Sequence, residues 1–551
     1  MSKPTVRRLT DLSKDEKAAR NIYRSQLNKI EMTADLADCR KPVWISCFFD
    51  GTGNNYKEDG NGTLNSDVEK YSNVAKLAKF AHPGEDAAKR TYGLYAPGVG
   101  TPFPAVGDSG KGIDQAAGMA SAAKGQARIT WMLQQFKTRV ERHMPHVSQI
   151  NVAVFGFSRG AAQARAFVRQ LADQCYKQGE ELIWTKGSGF KQPRLVIYFL
   201  GIFDTVASVG FGGSRMESSL KYVLGPVWGG VLYSIDDGGH ADWAGDLRIP
   251  WYVRFCEHYV ASHEVREKFP SDSVREDQNI NSNCRETFYP GAHSDVGGGY
   301  GSMTQEGRSN ELSRIPLCNM YLSAYAAGVP LDPPSEVLAN AGSLFDITSE
   351  LQSCFEAYMS VVAEGNKLEQ QVISHMAGYY HWRWGRTERQ RAALKERQAL
   401  IAKGQSVMYA TPDTYMTTTD QEWETDVQDI AEKKTGFFRS STTPLEDVIF
   451  DAWKGKLRKS MKAEKRALFD KFFDRYVHDS VAGFKNQMSD SHLGSVEASR
   501  WSRNRQYFMG KRGKKFLYWR YEGDRPETQG AKEAMLMPNK GQLPTDGTAI
   551  A

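Results

Sequence analysis

Residues 152–165 read VAVFGFSRGAAQAR. An apolar run leads into Gly156, a segment of small residues follows Gly160, and Ser158 stands between the two glycines in a Gly-x-Ser-x-Gly pattern. Between a buried strand and a helix, that pattern describes a turn tight enough to force the serine backbone into a strained region and project its hydroxyl. Side chains two residues to either side would collide there, so glycine is required at both places. A helix starting at Arg159 points its unpaired N–H groups at the same spot, which makes the Arg159 amide a candidate oxyanion donor. Ala161, Ala162 and Ala164 let such a helix sit close to a sheet.

Working outward, the runs VWISCFF (43–49), INVAVFG (150–156) and RLVIYFLGIF (194–203) read as continuously apolar strands. Helical patterns cover 68–81, 126–143 and 159–176, and a Gly, Ala and Ser-rich loop over 98–125 leads into the second. Apolar strands separated by helices predict a mostly parallel sheet covered on both faces, an α/β-hydrolase-like architecture. Further on, PWYVRF (250–255) reads as another strand, CEHYVASHEVREKF (256–269) as a helix, and ETFYPG (286–291) as the approach to His293. A helix around 319–327 closes this part, and the three prolines of VPLDPPSE (329–336) mark a boundary. The expected organisation is a polar helical lead-in over 1–40, a catalytic domain over 41–328, and a mainly helical, basic-aromatic region over 329–551. In that last region RTERQRAALKERQALIAK (386–403) reads as a charged helix, and the stretch 453–477 as a basic one.

A serine nucleophile needs a base, and the base needs a carboxylate to orient it, in the chain order Ser, Asp or Glu, His for this fold. Of the 11 histidines, His293 in the glycine-rich YPGAHSDVGGGY (289–300) is best placed, with His240, His258 and His263 as competitors. Asp204 ends the strand 194–203 and so lies at the same carboxyl edge as Ser158, where the sites of open parallel sheets form. Asp246 is the rival acid, although it precedes an apolar segment and would start on the opposite edge. Asp295 reads as a residue that shapes the His293 loop. The glycine-rich DGTGNN (50–55) after the first strand offers the second oxyanion donor, through the amide of Gly51 or Thr52. A phosphatase built on Asp50 would place a second Asp two residues on, where Thr52 stands, and no Gly-Lys-Ser/Thr follows for a phosphate loop.

The 551 residues have a 40% hydrophobic fraction with 12 Trp, 24 Tyr and 26 Phe, which excludes a disordered chain. No apolar window is long enough for a spanning helix, and the charged N-terminus has no signal-peptide core. The seven cysteines are scattered and never form C-x-x-C, which points to synthesis in a reducing cytosol. No cluster with metal-ligand spacing is present, and neither a metal nor another cofactor is expected. Net charge is +6, but 454–551 carries 21 Lys and Arg against 11 Asp and Glu, a local +10 that leaves −4 for the rest. Such a tail suggests an anionic partner.

Four blocks, FFDGTGNN (48–55), VFGFSRGAAQARAF (154–167), FLGIFDTVASVG (199–210) and YPGAHSDVGGGY, resemble in order and spacing those of the first class of type VI secretion lipase effectors. HEVREKFPSDSVR (263–275) is also similar to the block preceding the histidine in bacterial members. The resemblance covers about 42–327. It implies a phospholipase of A type with a Ser158, Asp204, His293 triad, hydrolysing acyl esters of glycerophospholipids. It further implies delivery on a spike protein into a rival bacterium's periplasm, a phospholipid membrane as substrate, a cognate immunity protein, and no nucleic-acid partner. The basic-aromatic C-terminal region takes the position expected of a membrane-contacting part. A carboxylesterase for small soluble esters, or a non-catalytic interaction protein on the same scaffold, are the alternatives.

Overall fold

A computed structural model describes residues 3–28, 40–59, 70–81, 90–110, 118–184, 192–207, 242–266, 269–276, 279–301, 304–305, 307–403, 417–436, 442, 444–480, 505, 507–508 and 515–517. The apolar runs form the centre of an eight-stranded sheet. Six strands, β1 (Lys41–Phe49), β2 (Thr91–Ala96), β3 (Val147–Phe157), β4 (Arg194–Phe203), β5 (Cys256–Ala261) and β6 (Cys284–Tyr289), lie in the order β6-β5-β4-β3-β1-β2. Every neighbouring pair among them is parallel. A hairpin of Cys175–Gln178 and Glu181–Trp184 pairs antiparallel with β4.

Parallel strands buried on both faces read as unbroken apolar runs, and only structure reveals their period of two. Ile45, Cys47, Phe49, Val152 and Val154 point into one core, while Trp44, Phe48, Ala153, Phe155 and Phe157 point into the other. The first core is roofed by helices α3 (Gly118–Glu141) and α4 (Arg159–Ala172), through residues such as Ile129, Phe136, Phe167 and Leu171. Over the second core lie α2 (Asn73–Lys79) and α5 (Arg314–Ala326). The C-terminal helices join that same core, so Tyr259, Phe288 and Met320 share it with Leu351, Tyr358, Tyr379 and Phe473, across the prolines of 329–336. The lead-in contributes α1 (Lys14–Leu27), opened by a Ser13–Glu16 capping box and docked by Arg20 and Arg24 over the rings of Tyr325 and Trp44. No described helix is long and apolar enough to cross a membrane.

Strand order decides where a site can form. From β1 the chain steps outward to β2, and from β3 it steps the other way, so the crevice between the carboxyl ends of β1 and β3 is the topological switch point. Register pairs Phe49 with Gly156 and Phe157 with Phe203. Asp50, Ser158 and Asp204 therefore leave the sheet side by side at one edge.

Two readings of the sequence require correction. The described residues of 256–269 do not form a helix: they supply the fully buried strand β5 and then irregular chain over 262–266, and PWYVRF contributes only a turn and one bridge, Val253 to Ile197. In β5 the polar residues Glu257 and His258 are buried and hydrogen-bonded, which a strand inside the sheet tolerates only with such partners. The basic helix expected over 453–477 is broken into Lys456–Ser460, Ala463–Lys471 and a π-turn at Phe472–Tyr476. His240 and most of the basic-aromatic stretch 501–523 lie outside the described residues.

Close approach explains the two glycines of the elbow. A Cβ on Gly156 would lie 2.5 Å from the Gly160 carbonyl oxygen, and one on Gly160 would lie 2.3 Å from that of Phe49 and 2.4 Å from that of Asp50. These neighbours are backbone and cannot swing away. Gly160→Ala is expected to destabilise the fold by about 1–3 kcal/mol, as overpacking does. It should also push the start of α4 away from the 50–55 loop. Denaturant unfolding checks this; an unchanged midpoint would mean the contact is slack.

Candidate active site

Ser158 caps α4 with φ 57° and ψ −128°, a left-handed conformation that side-chain-bearing residues rarely adopt. Such strain persists only where the surroundings over-determine it. Here its amide donates to the Phe203 carbonyl (3.0 Å), and its carbonyl accepts from Ala161 (3.0 Å), Ala162 (3.3 Å) and Val206 (3.2 Å). The last bond ties the elbow to the segment just after Asp204.

Asp204 is itself strained, with φ 40°, and its amide donates to the Tyr259 carbonyl at 2.6 Å. Its side chain is fully buried. Oδ1 accepts from the Ala261 amide (3.0 Å) and Oδ2 from His293 Nδ1 (2.5 Å). A guanidinium closes the set: Arg505 Nη1 donates to Oδ1 (2.8 Å) and Nη2 to Oδ2 (2.7 Å). Burial pushes the Asp204 carboxyl up, but the Arg505 charge and the His293 hydrogen bond overcome it and hold the group well below the usual carboxylate range.

His293 opens a one-turn helix, His293–Gly297, directly after β6. Its ring lies 4.6 Å from that of Phe157, the neighbour of Ser158, and 5.1 Å from that of Phe269. Its amide donates to Glu264 Oε2 (3.2 Å), and Glu264 is paired with Arg266. Because an ionised carboxylate only accepts, Nδ1 carries the ring proton and Nε2 is left with its lone pair. Burial lowers the basicity of His293, the Asp204 bond and charge raise it, and Arg505 lowers it again. The net result lies below the ordinary histidine value, which suits a ring that must begin neutral.

The 50–55 loop flanks the elbow. Asp50 is buried and fully engaged: Oδ1 accepts from the Gly51 amide (2.7 Å) and Ser72 Oγ (2.5 Å), Oδ2 from the Tyr95 hydroxyl (2.5 Å). Burial pushes its carboxyl up to about 6. A carboxylate so occupied is a structural brace rather than an attacking group. The Gly51 amide is thus turned onto Asp50, while the buried Thr52 hydroxyl has no partner among the described residues.

The other candidates fall elsewhere. Asp246 forks with Arg248 (3.0 and 2.8 Å) and pairs with Arg169 (3.2 Å) near the far end of α4, so the rival acid has its own cationic partners there and His293 takes Asp204. His258 sits on β5 between Glu286 (3.0 Å) and the Thr205 amide (3.2 Å). His263 accepts from the Gly291 amide (3.0 Å) and meets the Tyr358 hydroxyl (2.9 Å), a brace for the His293 loop. Asp295 binds the Ala292 amide (2.9 Å) and His478 Nδ1 (2.6 Å), holding that loop to the C-terminal helices. Arg505 escaped the sequence reading, because nothing in a basic tail marks one arginine as the partner of a carboxylate about 300 residues upstream.

The model of the family described as "T6SS, Phospholipase effector Tle1-like, catalytic domain" matches residues 44–175 and 169–323. Among solved structures the chain is similar to an uncharacterized protein from Pseudomonas aeruginosa, at 22% identity and a TM-score of 0.53, covering 85% of this chain and 68% of that one. That likeness shows a shared fold. A second similar structure is the Tle1 effector bound to the VgrG spike of the type 6 secretion system, at 19% identity and a TM-score of 0.36, covering 63% of this chain and 87% of that one. No curated protein matches the chain.

Proposed function

The chain belongs to the Tle1-like family of type VI secretion phospholipase effectors, and from that membership we propose that it cleaves glycerophospholipid acyl esters by a Ser-His-Asp mechanism. The observations that support the mechanism are Ser158, strained at φ 57° on the turn between β3 and α4, and the buried His293–Asp204 pair, whose imidazole packs 4.6 Å from the ring of Phe157, the residue before Ser158. Ser158 Oγ attacks the ester carbonyl while His293 Nε2 takes its proton. Asp204 holds the ring in the Nδ1–H tautomer and stabilises the imidazolium that forms. The same His293 then protonates the lysolipid leaving oxygen, and water, activated in turn, releases the fatty acid and restores the serine. Oxyanion charge falls to the Arg159 amide at the start of α4 and to the 50–55 loop. There the engagement of Gly51 by Asp50 favours the Thr52 amide.

Delivery on a spike protein, action in the target cell's periplasm and neutralisation by an immunity protein complete the proposal. The membrane role of the basic C-terminal stretch belongs to it as well. The substrate test is product analysis on glycerophospholipid vesicles. Free fatty acid and lysophospholipid are expected in equal amounts, at a rate well above that on a short-chain soluble ester. Turnover of the soluble ester with no lysophospholipid from any vesicle would instead make the protein a carboxylesterase.

A further inference from the structure

We propose that the C-terminal segment completes the catalytic centre: Arg505 is a positioning residue that grips Asp204, the acid of the His293 pair. The proposal rests on the triad reading above and goes beyond it, by adding a fourth member from the opposite end of the chain.

The geometry argues for completion rather than obstruction. Asp204 Oδ2 accepts from His293 Nδ1 at 2.5 Å and from Arg505 Nη2 at 2.7 Å simultaneously, so the arginine does not displace the histidine. With Nη1 on Oδ1 at 2.8 Å, the fork fixes the carboxylate in one plane, which is the property that separates arginine from lysine. Arg505 is in turn clamped, with Nε donating to the Phe269 carbonyl and Nη1 also to that of Ala261 (3.2 Å), and its side chain is buried. Phe269 also packs edge-on against the His293 ring at 5.1 Å, so one short segment touches both the arginine and the imidazole.

The path of the tail gives the contact a second meaning. Tyr507–Phe508 adds as a parallel strand to Ser271–Asp272, and Lys515–Leu517 pairs with Tyr507–Phe508 antiparallel. The Ser271–Asp272 strand is bonded to the residues that follow the acid, with Asp272 N–H on the Thr205 carbonyl (3.0 Å) and the Ala207 amide on Asp272 Oδ2 (3.1 Å). It is also bonded to the serine's helix, where Arg165 donates to the Asp272 (2.7 Å) and Ser273 (3.1 Å) carbonyls. Docking of the tail therefore couples to both halves of the site, and the charge it delivers moderates the base.

The charged groups facing His293 are Asp204, Arg505 and Glu264, the last paired with Arg266; Asp295 in the same one-turn helix is paired with His478. Of these, Arg505 is the cation paired with Asp204, and its loss leaves that carboxylate without its guanidinium partner while Glu264 keeps Arg266. Removal of Arg505 raises the basicity of His293, and the ring then stays protonated to higher pH.

The test uses full-length wild type, R505Q and R505K, with kcat and KM on a short-chain p-nitrophenyl ester across pH and the rate of Ser158 labelling by a fluorophosphonate. R505Q is expected to lower kcat and the labelling rate roughly tenfold to a hundredfold, the effect of losing one charge-assisted bidentate contact. KM should hardly change, and the acid limb of the pH profile should move to higher pH. R505K should return the limb toward wild type while recovering only part of kcat, because an ammonium cannot span both oxygens. A folded R505Q with wild-type kcat and an unmoved limb overturns the assignment; so does a faster R505Q, which would make the contact a restraint. If R505Q does not fold, R505K decides: wild-type kcat there overturns the positioning role. Failure of the triad reading shows separately, as fluorophosphonate labelling that persists in Ser158→Ala.

Discussion

Ser158→Ala is expected to lower ester hydrolysis by about 10⁴-fold or more while leaving the fold intact. Removing the attacking oxygen deletes the acyl-enzyme route altogether, and in serine hydrolases in general the loss of that one group approaches the loss of the whole triad. Residual turnover would come only from the oxyanion donors and substrate binding. The change is small in volume at a site where alanine also must take φ near 57°, so the strain stays and the chemistry goes. The measurement is fatty acid release from vesicles together with loss of fluorophosphonate labelling. Hydrolysis that persists at even a tenth of the wild-type rate would remove Ser158 from the mechanism.

The second large effect belongs to Asp204→Asn, with an expected loss in kcat on the order of 10⁴-fold. An amide at that place presents a donor to His293 Nδ1 and selects the opposite tautomer, which puts the ring proton on Nε2, where the serine proton must go. The change also leaves the buried Arg505 guanidinium without its counter-charge. Breaking a buried pair from one side destabilises by about 3–5 kcal/mol, so thermal unfolding should fall together with activity. Asp246→Asn is the control, because its partners are Arg248 and Arg169 and its side chain is partly exposed. Near-wild-type activity is expected there. Equal losses in both variants would point to folding rather than chemistry.

Much of the arrangement was legible because it is local. The elbow is spelled by Gly156, Ser158 and Gly160 between an apolar run and a small-residue helix, since close backbone packing admits no other residue at the glycines. Asp204 was legible as the last residue of an apolar strand, because in a parallel sheet every strand ends at the same edge. The reading of 256–269 as a helix failed for the complementary reason. Glu257 and His258 are satisfied inside the sheet by Ser323, Thr205 and Glu286, which arrive from elsewhere. Burial of polar groups depends on partners distant in sequence, and periodicity carries no information about those partners.

By itself, the sequence determined the α/β architecture, the strained serine and the chain order of the proposed triad, because each follows from steric demands within a dozen residues. Tertiary structure alone decided which acid meets His293, that Asp50 is a brace with Ser72 and Tyr95, and that helices beyond residue 329 share a core with the sheet. It also brought Arg505 to Asp204. The reason is physical: a buried carboxylate takes its charge partner from whatever element the packed chain delivers, and sequence separation sets no limit on that.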